Sequence, residues 1–374
     1  MKKVILPIFA FLIVLGFSAC ALNKKEQQNH LGTQPSHTTQ LADKKLEQHI
    51  TIGAVGDILI HDRVYNDALL NKQNKTYDFK PMLKKVKQKL IQPDILLANL
   101  ETIVAGTDIG LSGYPAFNSP HEVADALKDA GVDIVTTANN HALDRGVKGQ
   151  LQSLSYLRKI DMPYVGTFTD RKDQTTIRIL EKKGIKVAFL SYTYGTNGIP
   201  IPEEQPYIVN IIDKKNMEQE IARAKKQADV VVMGIHWGKE YERVPNQEQK
   251  DLAQFLADKG VDIIFGGHPH VLQKMEWLTN KQNHKTLVVY SLGNFLSGQD
   301  EEYRDIGGLA SVTIKKAVQN SKTVISIESP SFFPTYNYSN KEKDYELRPL
   351  KEANDKRLKH SYDEIMNHMM QGLQ

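Results

Sequence analysis

Ile263-Ile264-Phe265-Gly266-Gly267-His268-Pro269-His270 is the stretch on which the reading of this chain turns. An apolar, β-branched run stops at two glycines, and two histidines follow with one proline between them. The run reads as a buried strand, and the glycines as a turn where backbone must come close to something. Pro269 fixes its own φ and biases His268 towards an extended conformation. Two imidazoles on a stiffened loop at the end of a buried strand look like metal ligands. The plainer alternative is a polar turn with two ordinary histidines, and the rest of the chain decides between them.

Outward from this stretch the same arrangement recurs. Ile50 to Val55 is a short apolar strand ending at Gly56-Asp57, with His61 four residues beyond the aspartate. That carboxylate and imidazole can share a metal ion, though Asp57 alone also reads as the cap of a strand-to-helix turn. Ile95 to Ala98 is a strand running into Asn99-Leu100-Glu101. Val132 to Thr137 ends in Ala138-Asn139-Asn140-His141, after which Asp144 can cap a helix to about Arg158. Asn140 can bind a metal through its carbonyl oxygen, and His141 can serve as an acid without being a ligand. Asp229 to Ile235 ends in His236-Trp237-Gly238-Lys239-Glu240-Tyr241.

Helical patterns cover Phe79 to Leu90, Glu122 to Ala130, Lys214 to Gln227 and Gln247 to Lys259. Ile177 to Leu180 and Lys186 to Tyr194 read as a hairpin around Lys183-Gly184. Later strands are Val271 to Leu278, Thr286 to Ser291, Gly307 to Ile314 and Val324 to Ser329, the first ones bracketing Ser291-Leu292-Gly293-Asn294-Phe295. Strand and helix alternate early and strands dominate later, which predicts an α/β layered domain of two sheets with helices outside. Tyr114, Pro115 and Phe117 lie in a loop from Gly106 to Pro120 as candidate pocket walls.

The 374 residues and the apolar and charged fractions are those of a globular chain with a sizeable core. A net charge of +4 and the lack of a basic block interleaved with aromatics argue against nucleic-acid binding. Lys2 and Lys3 precede an apolar run from Val4 to Phe17, short for a membrane span of about 20 residues. Ser18, Ala19 and Cys20 close it as a secretory signal does, and this end resembles a bacterial lipoprotein signal, in which the cysteine is lipidated. An uncleaved anchor helix is the alternative. Cys20 is the only cysteine, so an intramolecular disulfide is impossible. The expected organisation is a signal over 1–20, a flexible polar tether over 21–49, a domain over 50–335 and a charged segment over 336–374. Leu358, Tyr362, Ile365 and Met369 recur at helical spacing, predicting a terminal amphipathic helix docked on the domain. The expected location is the extracytoplasmic face of the cell membrane.

Asp57, Glu101, Asn140, His236, His268 and His270 all follow the carboxyl ends of predicted strands, which converge on one edge of a mainly parallel sheet. Histidine, carboxylate and amide ligands without cysteine suit Mn, Fe, Zn or Mg. The set exceeds what one tetrahedral ion needs, so two divalent ions bridged by a carboxylate are expected, about 3.5–4 Å apart as in many phosphoesterases.

The ordered motifs Gly56-Asp57 with His61, Asn99-Leu100-Glu101, Asn139-Asn140-His141, His236 to Tyr241, Gly267-His268-Pro269-His270 and Ser291 to Phe295 closely resemble the CapA family. That family is associated with poly-γ-glutamate capsule biosynthesis and is related to calcineurin-like metallophosphoesterases. The resemblance covers about Ile50 to Phe333 and implies a four-layer α/β/β/α sandwich. It implies that Asp57, His61 and His270 hold one ion, that Asn140, His236 and His268 hold the other, and that Glu101 bridges them. His141 would protonate the leaving group, and Asn99, Asp144, Trp237, Glu240 and Asn294 would face substrate. Two departures stand: Asp57 and His61 are four residues apart where the phosphoesterase pattern has two, and the bridging acid is glutamate instead of aspartate. The expected activity is hydrolysis of a phosphoester or amide of an anionic polymer. The alternative is a non-catalytic polymer-binding or scaffold partner of a membrane poly-γ-glutamate synthase.

Overall fold

Side chains alternate sides along a strand, and here both sides of most strands are apolar, so each sheet must be covered on both faces. In the strand Ile263–Gly267, Ile263 and Phe265 enter one core while Ile264 enters another. The strand Ile185–Thr193 behaves alike, with Val187 and Phe189 on one side and Ala188 and Leu190 on the other. The structure, a computed structural model, describes residues 46–319 and 322–373. The signal-type segment, Cys20 and the tether up to residue 45 lie outside the described residues.

The first sheet runs, in spatial order, Glu346–Pro349, Lys322–Tyr338, Ile306–Gln319, Leu46–Leu59, Ile95–Leu100, Ile134–Thr136 and Tyr164–Val165. Its last four strands are parallel, and Asn294–Ser297 adds a parallel partner beside the end of Leu46–Leu59. The second sheet runs Leu272–Thr279, Lys285–Leu292, Ile263–Gly267, Val230–His236, Ile185–Thr193 and Arg178–Lys182. Its four central strands are parallel. One core lies between the sheets, one between the first sheet and helices such as Glu122–Asp129 and Gly146–Lys159, and one between the second sheet and the helices Lys214–Lys225 and Gln247–Asp258. That is the four-layer α/β/β/α sandwich expected.

Several local expectations need correction. The pattern over Phe79 to Leu90 forms two single turns, Lys80–Leu83 and Lys87–Leu90, instead of one helix. Like charges at Lys80 and Lys84, and at Lys85 and Lys89, oppose a continuous helix, while Met82, Leu83, Val86 and Leu90 still reach the core. The first strand starts at Leu46, inside the expected tether, because residues 46–55 pair with Leu309 to Val318. The first sheet also continues past Thr335: Lys322–Tyr338 pairs with the edge strand Glu346–Pro349. The terminal helix is Tyr362–Met370, with Ile365 and Met369 buried in the intersheet core. Among the described residues no helix is long and apolar enough to cross a membrane.

Candidate metal centre

Glycines bring the two sheets' strand ends together. A Cβ on Gly267 would sit 2.6 Å from Asp57 Oδ1, and one on Gly266 would sit 2.1 Å from the Tyr290 carbonyl. Only bare backbone admits the carboxylate there. Asp57 lies at an irregularity in the register of its own strand with both neighbours, which re-aims its side chain. His268 takes φ +98° and His270 φ +57°, so the extended His268 expected from Pro269 is not what forms. Such positive φ values are costly for non-glycine residues and persist where surrounding bonds hold them. Here the His268 amide donates to Asp57 Oδ2 (3.3 Å), and the Tyr241 amide donates to the Pro269 carbonyl (2.8 Å).

The centre is nearly dry. Asp57, Glu101, Asn140, His236, His268 and His270 are all buried. His270 Nδ1 lies 3.1 Å from Asp57 Oδ2 and 3.8 Å from Glu101 Oε2. His236 Nε2 lies 3.2 Å from Glu101 Oε1 and 2.8 Å from Asn140 Oδ1. Two groups have ligand atoms within 4.8 Å of one another: Asp57, Glu101 and His270, and Glu101, His236 and His268. They share Glu101. A third comprises Glu240, which is exposed, with His268 and His270. His61 belongs to none of these groups; its Nδ1 lies 3.1 Å from the Leu59 carbonyl, and its ring packs edge-on against Phe117.

The electrostatics match a cation site. Burial and then the Asp57 charge push the Glu101 carboxyl well above the usual range. Burial also opposes ionisation of Asp57, but bonds and charges from His270, with help from His236 and Asn99, hold its carboxyl below the usual value. Burial depresses His236 to about 3 and, with the neighbouring His236 and His270 charges, His268 to about 2. It likewise lowers His61 to about 4. His270 moves up to about 9, because Glu101 and Asp57 outweigh its burial. The neutral imidazoles of His236, His268 and His61 keep a lone pair for a metal. Both Glu101 oxygens and His268 Nδ1 are buried without a hydrogen-bond partner among the described residues. Buried polar atoms in folded proteins are usually paired, and here three unpaired ligand atoms converge on one place, so the donors present fit a divalent metal.

The remaining expected residues divide. Asn99 donates to Asp57 Oδ1 (2.7 Å), lies 3.3 Å from His236 Nδ1 and accepts from Thr136, so it steers ligands from behind. Asp144 does not cap the helix, which begins at Gly146; its Oδ2 accepts from the Phe117 amide (2.7 Å) and lies 2.7 Å from His141 Nδ1. Trp237 turns into the outer core, where its indole donates to the Tyr290 carbonyl, so it supports the site from beneath instead of facing substrate. Asn294 is likewise buried and ties its loop to Gln299 and the Arg304 carbonyl. Two residues escaped the sequence reading. Tyr194 stacks near His236 and His268 and was findable, since it directly follows a buried strand. Asn197, bonded to Asn140 and close to His141, sits in a loop with no such signal.

An α/β sandwich with a buried histidine–carboxylate centre at its parallel strand ends is thereby defined. The chain belongs to the CapA family: the family described as "Bacterial capsule synthesis protein PGA_cap" matches residues 51–299. A "Capsule biosynthesis protein CapA" of Bacillus anthracis is 33% identical over 263 residues, which cover 67% of this chain and 61% of that relative. A "PGA biosynthesis protein CapA" of Bacillus subtilis (strain 168) is 36% identical over 180 residues, 48% of this chain and 46% of the relative. The chain thus spans less than two thirds of either relative's length. Among solved structures, TT1561 of Thermus thermophilus is similar at 9% identity and a TM-score of 0.41, over 75% of this chain and 99% of that one.

Proposed function

We propose that this chain acts in synthesis or export of a poly-γ-glutamate capsule as a dinuclear metal-dependent hydrolase of a phosphoester or amide. It would be held at the extracytoplasmic face of the cell membrane by a lipid on Cys20, beside a membrane synthase. The capsule assignment draws on the roles that the Bacillus relatives' names carry. The observation that carries the chemistry is Glu101, whose two oxygens are buried without a hydrogen bond among the described residues and which belongs to two ligand groups at once. Leaving the Glu101 carboxylate buried without hydrogen bonds beside the charge of Asp57 is costly, and cations relieve that cost.

Asp57, His61 and His270 would hold one ion, and Asn140, His236 and His268 the other, with Glu101 between them. When bound, divalent ions supply Lewis acidity towards a phosphoryl or acyl oxygen and lower the pKa of water. The chain supplies the proton. Asp144 anchors His141 Nδ1, and Phe117 packs edge-on against the same ring, which leaves Nε2 as the atom that hands a proton to the leaving oxygen or nitrogen. Tyr194 walls the centre over His268 and helps exclude water.

Elemental analysis of the purified chain, reconstituted with Mn or Zn, tests this reading. About two divalent ions per chain are expected, and Glu101→Gln should lower occupancy at both sites, since one carboxylate neutralises both. A chain that takes up no metal ends the proposal.

A further inference from the structure

Of the residues in the three ligand groups, Glu240 alone is exposed. One of its carboxylate oxygens lies within 4.8 Å of a ring nitrogen of His268 and of one of His270. Those imidazoles are assigned above to different ions, so Glu240 reaches the centre between them, from solvent. His61, by contrast, belongs to none of the groups, and backbone engages its Nδ1: the Gly298 amide lies 3.2 Å away and the Leu59 carbonyl 3.1 Å. The ion assigned to Asp57, His61 and His270 therefore has room for a further donor. Charge argues the same way. The buried donors bring two carboxylates, Asp57 and Glu101, against two divalent ions, while neutral histidine and asparagine ligands add none. A third carboxylate offsets part of the remaining positive charge, and ligand charge is one of the factors that set metal affinity.

The loop that carries Glu240 is held down on both sides of it. Nearby cations are engaged elsewhere: Lys239 pairs with Glu242 (3.5 Å) and Arg304 with Glu301. Tyr241 takes φ +67°, a costly value for a tyrosine, sustained by its amide bond to the Pro269 carbonyl and by the Arg304 guanidinium 4.4 Å over its ring. Gln273 Nε2 then donates to the Glu242 carbonyl (2.7 Å). Beyond it the Arg243 guanidinium lies 3.5 Å over the ring of Tyr303, and His360 stacks on that ring with centroids 3.5 Å apart. The phenol is thus sandwiched between them. Its hydroxyl donates to Glu364 Oε1 (2.6 Å), on the helix Tyr362–Met370, and Arg243 lies 3.7 Å from the same oxygen. The terminal helix, anchored in the intersheet core by Ile365 and Met369, thereby fixes the far end of the Glu240 loop.

We infer that Glu240 is a metal ligand supplied from the open side of the centre, and that Arg243, clamped by Tyr303 and Glu364, is a positioning residue for it. The inference rests on the metal centre proposed above and not on hydrolysis there. As the exposed donor, Glu240 is the ligand that an incoming substrate oxygen replaces without disturbing a buried one.

Competition of the full chain with a chromophoric chelator for Mn or Co measures the affinity without reference to turnover. Glu240→Ala and Glu240→Gln, at an exposed position that folding tolerates, should each weaken it about tenfold or more. Glu242→Ala removes the same charge from the same loop, and its exposed pair with Lys239 is worth little, so near wild-type affinity is expected. In the Co-loaded chain, Glu240→Ala should change the visible absorption of the ion, which a residue outside the coordination shell would leave alone. Arg243→Ala should weaken binding by a smaller factor in the wild type and add nothing to Glu240→Ala, as expected if it acts through that ligand. Equal losses in both backgrounds would overturn the positioning role. Unchanged affinity and absorption in both Glu240 variants, or an equal loss in Glu242→Ala, would overturn the inference while the metal centre stands. A wild-type chain that takes up no metal would end the centre and the inference together.

Discussion

His141 shows how much one side chain's surroundings can say. It is only 6% exposed, its Nδ1 is 2.7 Å from Asp144 Oδ2, and that same oxygen accepts the Phe117 amide. The imidazole is thus set in one orientation by a carboxylate that is itself held in place. A merely structural histidine would serve the fold, whereas a proton donor serves the reaction. His141→Ala should leave metal content nearly unchanged and lower turnover on phosphoester or γ-glutamyl amide substrates by about 10²–10⁴-fold. Asp144→Asn should give a turnover between those of the wild type and His141→Ala. If His141→Ala instead melts early, by about 0.5–3 kcal/mol, with full turnover, the residue is structural.

The element that matters most is the turn after Ile263–Gly267. Its glycines let Asp57 from the first sheet approach the second, while the positive φ of His268 and His270 is sustained by bonds to that carboxylate and to the Tyr241 amide. Gly267→Ala would place a methyl group 2.6 Å from Asp57 Oδ1 and 2.9 Å from Asn99 Nδ2. Overpacking of this kind costs about 1–3 kcal/mol, and here it should displace a ligand as well. The expected result is a lower melting temperature together with lost metal. Gly195→Ala is the control: its Cβ would meet nothing within 4 Å, so a change within about 0.5 kcal/mol is expected. Equal behaviour of the two variants would show that the turn is not tightly packed.

At the scale of the whole molecule, the centre joins the two sheets. Asp57, Asn99 and Glu101 come from the first and His236, His268 and His270 from the second, so ions held there would tie the halves of the sandwich together. Ligands that bind only the folded state stabilise it by mass action, by about 2.7 kcal/mol at a hundredfold excess over Kd. Chelation of a metal-loaded chain should therefore lower its melting temperature, and Mn or Zn should restore it; an unchanged melt would show that the sheets do not share an ion. The attachment of the molecule is tested at Cys20. Cys20→Ser should release the protein from membranes or leave an unprocessed precursor, and a mature, membrane-bound variant would exclude the lipid anchor.

Periodicity determined the layers. Apolar β-branched runs buried on both faces can be satisfied only by sheets covered on both sides, so the sandwich was legible in the chain itself. The ligand types at the strand ends were legible too, because parallel strands deliver their carboxyl ends to one edge. What the local pattern does not contain is direction and neighbourhood. Trp237 and His236 are adjacent in sequence, yet strand alternation sends one into the outer core and the other to Glu101. Asp144 looked like a helix cap and became the anchor of His141, since the Phe117 amide reaches it from a distant loop.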